Sequence, residues 1–156
     1  MNESRPLPPL FEILPHRGRA ALLDHVERHD ETETVCVVEI GGSAWLHRAD
    51  EGVPVWVGIE YMAQCIAARE GCIAHAEGRA LAPGFLVRAR RVRLDATIFQ
   101  PGEVLRVRAR RLRGRPGLRA MTYACEIHRG RDDDAAAIAE AEITVALGRE
   151  LEPEAG

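Results

Sequence analysis

The hydrophobic period of this chain changes once. From Val55 to Ala68 apolar residues go almost all the way round a helical projection, whereas from Phe85 onward they recur every second position. The first pattern predicts a helix wrapped by other structure, and the second a series of strands. Ahead of the helix, residues 1–13 form an irregular lead-in in which Pro6, Pro8 and Pro9 block regular structure. Ala20–Arg28 reads as a first strand and Thr34–Ile40 as a second, closed by Gly41-Gly42. A loop from Ser43 to Val53 leads to Pro54, which suits the first helical position because its missing N–H would be unpaired there. The helix is expected to run to about Glu77, where Gly78 stops it.

Beyond it, Phe85–Leu94 alternates apolar residues with arginine, and Arg90-Arg91 breaks the phase as a bulge would. Pro101-Gly102 turns the chain into Val104–Leu112, with Leu105, Val107 and Ala109 on one face and Arg106, Arg108 and Arg110 on the other. After the turn at Gly114–Gly117, Met121, Tyr123, Cys125 and Ile127 mark one face of the next strand. After Arg131–Asp134, Ala139, Ala141, Ile143, Val145 and Leu147 mark the last. The acidic tail, 149–156, is expected to fray. Two strands, one long helix and four strands joined by turns make an α+β chain. A curled antiparallel sheet of about six strands wraps the helix in a single domain, 1–156, without internal repeat.

Glu60 stands inside the apolar helix. The run is too short and too interrupted by Glu60 and Gln64 to span a bilayer, so the carboxylate is expected to be buried in a core. Taking it out of water is costly, and a buried glutamate is paired, neutral or in use.

Composition narrows the chemistry. All 21 basic residues are arginine. The absence of lysine removes Schiff bases, a Walker-type phosphate lysine and Ser–Lys dyads. Ser4 and Ser43 are the only serines, neither in a G-x-S-x-G setting. Cys36, Cys65, Cys72 and Cys125 lack metal-type spacing and read as buried, reduced thiols. No apolar leader precedes residue 10, so a cytoplasmic protein without metal or cofactor is expected.

Three segments resemble one family. Leu14-Pro-His-Arg-Gly-Arg-Ala-Ala-Leu-Leu-Asp24 is similar to the L-P-H-R-x-x-x-x-L-x-D opening of 3-hydroxyacyl-acyl-carrier-protein dehydratases of the hot-dog superfamily. Glu60-Tyr-Met-Ala-Gln64 is similar to its E-x-M-A-Q, and Pro101-Gly-Glu-Val-Leu105 to its P-G-[DE]-x-L. The run Val53–Gln64 most resembles the small dehydratase-like proteins of aryl-polyene clusters. The resemblance implies a hot-dog fold and an active site pairing a loop histidine with the helix glutamate, usually across a dimer interface. His47 stands at that loop position, one residue nearer Glu60 than in the family motif. It lacks the preceding glycine and the following Phe-Pro, and Val55 replaces a motif glycine.

Dehydrating a 3-hydroxyacyl thioester needs a base for the α-proton and an acid for the departing hydroxide, and no metal. The resemblance assigns these roles to His47 and Glu60. The amides of Val55 and Trp56 are candidate donors to the thioester oxygen, and Gln64 either orients Glu60 or packs. His16 is expected to pack, and His25, His29, His75 and His128 to be solvated. Eleven arginines between Phe85 and Arg119 face only Asp95 and Glu103. They are either a solvated sheet face or a surface for an acidic partner. The implied partner is an acyl carrier protein with a phosphopantetheine arm, with a homodimer or a heterodimer with a related hot-dog chain, and without nucleic acid or membrane. Two alternatives stand beside the dehydratase: a catalytically reduced subunit of a mixed dimer, and a hot-dog thioesterase in which Glu60 activates water.

Overall fold

The computed structural model describes residues 6–41, 51–114, 120–131 and 135–148. A short helix, α1 (Leu10–Ile13), leads to strands β1 (His25–His29) and β2 (Glu33–Glu39), the two-residue β3 (Val53–Pro54) and the long helix α2 (Gly58–Ala76). Strands β4 (Gly84–Leu94), β5 (Ile98–Phe99), β6 (Val104–Arg113), β7 (Ala120–Arg129) and β8 (Ala139–Leu147) follow. Six strands form one antiparallel sheet in the order β1-β2-β6-β7-β8-β4, and β3 pairs with β5 beside it.

The alternation in β6, β7 and β8 sets which side chains reach the helix. Val107 lies opposite Cys36 and Ile127, and Cys125 opposite Ala141. All of these are buried with Tyr61, Met62, Cys65 and Ile66 of α2. The four cysteines are free and buried. Burial pushes the thiols of Cys72, to about 11, and Cys125 up. Arg69 is buried too, although charged: its guanidinium donates to the carbonyls of Asp30 (3.1 Å) and Glu31 (2.7 Å). It thereby ties the β1–β2 turn to the helix.

Three expectations change. The first strand begins at His25 rather than Ala20, because Gly18–Ala20 forms a turn at a positive φ of 57° and residues 20–22 bond to α2 instead of β2. Pro54 does not open the helix. It is extended and pairs with Ile98, a 3-10 turn covers Val55–Val57, and α2 starts at Gly58. A Cβ there would lie 2.8 Å from Ile127 Cδ1, so the glycine leaves that side chain its room. Nor is α2 enclosed all round: Glu60, Ala63, Ala67 and Glu70 form a half-exposed stripe bordering a groove that Gly84 and Leu86 of β4 also line. The Arg90-Arg91 bulge is present, with Arg91 at φ 49°. Among the described residues, no helix is long and apolar enough to cross a membrane.

Candidate active site

Positions i, i+3, i+7 and i+10 share one helix face. In α2 these are Glu60, Ala63, Ala67 and Glu70, and the two alanines between the carboxylates leave a groove of about 150 Å³ against Leu86 and Val145. The carboxylates lie about 15 Å apart along the helix at its usual rise. Thus Glu60 is not buried as expected: its side chain retains 44% exposure because it points into this groove rather than toward the sheet.

Gln64 is wholly buried and makes three hydrogen bonds. Its Nε2 donates to Glu60 Oε1 (3.0 Å) and to the carbonyl of Ala20 (2.7 Å), while its Oε1 accepts from the Leu22 N–H (2.8 Å). Orientation and packing are therefore one function of the same amide. The strap so fixed carries His16, whose Nε2 stands 3.7 Å from Glu60 Oε1. His16 Nδ1 is buried without a hydrogen-bond partner among the described residues. Its expected packing role thus gives way to a place beside the carboxylate.

At the mouth, Trp56 is 59% exposed and lines a recess of about 550 Å³ with His16, Arg19, Leu22 and Glu60. Val55 is buried, and its N–H donates to the Thr97 carbonyl (3.0 Å), so this amide is spent. Trp56, the next residue, lines the recess. His47 lies outside the described residues.

The groove's other end holds a group that single-residue motifs do not flag. Tyr123 donates to Glu70 Oε1 (2.5 Å), and Arg111 Nη2 reaches the same oxygen (3.1 Å). Burial, then the bond to Glu70, pushes the Tyr123 phenol well up. Burial works against the charge of Arg111, but Glu70 outweighs it and raises that group. The signal in the sequence was the i, i+10 spacing of two glutamates across two alanines.

Other arginines of the basic run are also engaged internally: Arg91 with Glu142 (2.6 Å), Arg93 with Glu140 (2.8 Å) and Arg106 with Glu27 (2.5 Å). His25 and His75 are exposed as expected. His128, by contrast, is buried between the Ala135 carbonyl (2.7 Å) and Glu126 (2.9 Å). His29 is half-buried against Thr34 Oγ1 (2.8 Å).

The ApeP-like family, described as ApeP dehydratase, matches residues 8–154. No curated protein sequence matches the chain. Among solved structures it is similar to a chain of the dehydratase heterocomplex ApeI:P from Xenorhabdus doucetiae, with TM-score 0.80 and 22% identity over 92% of this chain and 93% of that one. It also resembles an HP0420 homologue from Helicobacter felis (TM-score 0.64, 11% identity, 97% and 96% covered). A hypothetical thioesterase with coenzyme A from Streptococcus pneumoniae TIGR4 is a further likeness (0.58, 10%, 80% and 84%). At these identities the structures share the hot-dog fold.

Proposed function

This chain belongs to the ApeP-like dehydratase family, and from that premise we propose that it removes water from 3-hydroxyacyl thioesters held on an acyl carrier protein, in polyene-type biosynthesis. The observation that carries the reading is Glu60, a carboxyl group held by Gln64 at the head of an otherwise largely apolar groove. Glu60 protonates the departing hydroxyl, and His47, thirteen residues ahead of Glu60 in the sequence, takes the α-proton. One acid and one base suffice for this elimination. Trp56 and Arg19 at the mouth suit the thioester arm.

The carrier protein enters as the acidic partner of the arginine-rich strands. A second hot-dog chain covers the groove along β4, whose Phe85 and Val87 are exposed. The dehydratase heterocomplex among the similar structures favours a related chain as that partner. Buried free thiols suit the reducing cytoplasm.

The test is mass spectrometry of a 3-hydroxyacyl carrier protein incubated with the chain, alone and with a related hot-dog subunit. Loss of water supports the reading. Loss of the acyl group indicates a thioesterase, and water loss only with the second subunit, unaffected by Glu60→Gln, indicates a structural partner.

A further inference from the structure

We propose that His16 is a positioning residue for Glu60: an imidazole whose Nε2–H faces Oε1 and, with the Gln64 amide, leaves Oε2 as the oxygen that carries the working proton. The inference rests on the dehydratase reading of Glu60 and assigns a role to a residue outside the Glu60–His47 pair.

The strap from Leu14 to Leu22 is fixed at both ends. Leu14 is buried in the core, and Gln64 bonds Ala20 and Leu22. Between them Arg17 folds back onto its own strap, donating from Nη1 to the His16 carbonyl (3.0 Å) and to that of Leu14. The imidazole is thus held over α2 with Nε2 3.7 Å from Glu60 Oε1. Contacts of this length in a substrate-free acid–base site tighten when the substrate docks.

The nitrogen that faces the carboxyl group, Nε2, is the one placed to carry the proton. Nδ1 has no acceptor among the described residues. A proton there would bury an unpaired N–H donor, which folded proteins tolerate less than an unpaired acceptor. A proton on Nε2 leaves only a lone pair at Nδ1 and aims the donor at the carboxyl group. In that form Nε2 has no lone pair for an α-proton, so His16 is not the base. Among the described residues, the charged groups facing the ring are Glu60 from α2, Arg19 from its own strap and, farther along the groove, Glu70.

Gln64 Nε2 also donates to Oε1 (3.0 Å), so both N–H groups converge on one oxygen. Oε1 then behaves as the carbonyl oxygen of the acid. In the elimination the base takes the α-proton, the α C–H pair becomes the new C=C bond, and the β C–O bond breaks. The proton on Oε2 leaves with the hydroxyl as water, so that Glu60 ends as the carboxylate and the base ends protonated.

Two measurements on the full-length chain, with its hot-dog partner where turnover requires one, test this. His16→Leu should lower kcat about tenfold or more with KM within about twofold, as misplacement of a reacting group does. His16→Gln, whose amide nitrogen replaces Nε2–H, should return kcat to within about threefold of the parent. A leucine variant at the parent rate, or a folded glutamine variant no better than leucine, overturns the proposal. Independently of turnover, nitrogen-15 NMR at pH 7.5 should find the His16 proton on Nε2, with that resonance moved by Glu60→Gln. A proton on Nδ1 overturns it. Because the spectrum needs no substrate, a chain that fails to dehydrate would sink the dehydratase reading without deciding this one.

Discussion

The Gln64 amide donates to Glu60 Oε1 across one helical turn, 3.0 Å away, while it also holds the backbone of Ala20 and Leu22. One buried side chain therefore sets the rotamer of Glu60 and the path of the strap that bears His16. Gln64→Leu removes all three bonds and leaves the Leu22 N–H and Ala20 carbonyl to find other partners, at about 1–3 kcal/mol for each buried group left unpaired. The expected result is a lower urea midpoint together with a fall in kcat. A variant with lowered stability but parental kcat would show that the Glu60 contact does not matter to the chemistry.

Glu60 itself is separable from the fold, because its side chain faces the groove at 44% exposure and not the core. Glu60→Gln should leave the melting temperature within a degree or two and lower turnover by roughly 10²-fold or more. With His47 as the base, His47→Ala should lower turnover to a similar extent. Parental turnover by Glu60→Gln in the chain's own assay would remove Glu60 from the mechanism.

Much of this architecture was legible in the sequence. The helix and the strand faces through Val107, Cys125 and Ile143 followed from their periods, because each period reflects one element against one core. What was not legible depends on partners distant in the chain. Pro54 is drawn into pairing with Ile98, 44 residues on, which outweighs its local suitability for a helix start. His16 gains its meaning only because Gln64 bonds the strap 42 and 44 residues earlier. The exposure of Glu60 was misjudged since an apolar helix face can border a groove as well as a core. Glu70 was missed because its bond to Tyr123 spans 53 residues.

A pH effect on stability follows from His29. Burial, then the charge of Arg69, lowers its pKa from the ordinary 6.5. The unfolded chain therefore binds this proton more readily than the folded one. The stabilisation is complete above pH 6.5 and is lost as pH falls through the folded value. Urea midpoints should decline between pH 7.5 and 5.5, and His29→Asn, which cannot titrate, should flatten that decline. An equal decline in the variant would assign the effect to other groups.

The last expectation concerns the outer edge of the sheet. Among the described residues, strand β4 pairs with β8 alone, so its other side presents backbone groups without a strand partner there. Sheet edges left open are normally guarded by charge. Here arginines occupy the second half of the strand, from Arg88 to Arg93, whereas Phe85 at 63% and Val87 at 60% exposure leave the first half apolar on one face. An apolar edge beside a half-open groove calls for a chain laid along it, which would extend the sheet and close the groove beside Leu86. Val87 does not line the groove, so Val87→Asp tests the edge without touching the chemistry. Light scattering at micromolar concentration should give a dimer for the parent, by itself or with a related hot-dog subunit, and a monomer for the aspartate variant. A parent that stays monomeric with both, or an aspartate variant that still pairs, would move the interface away from β4.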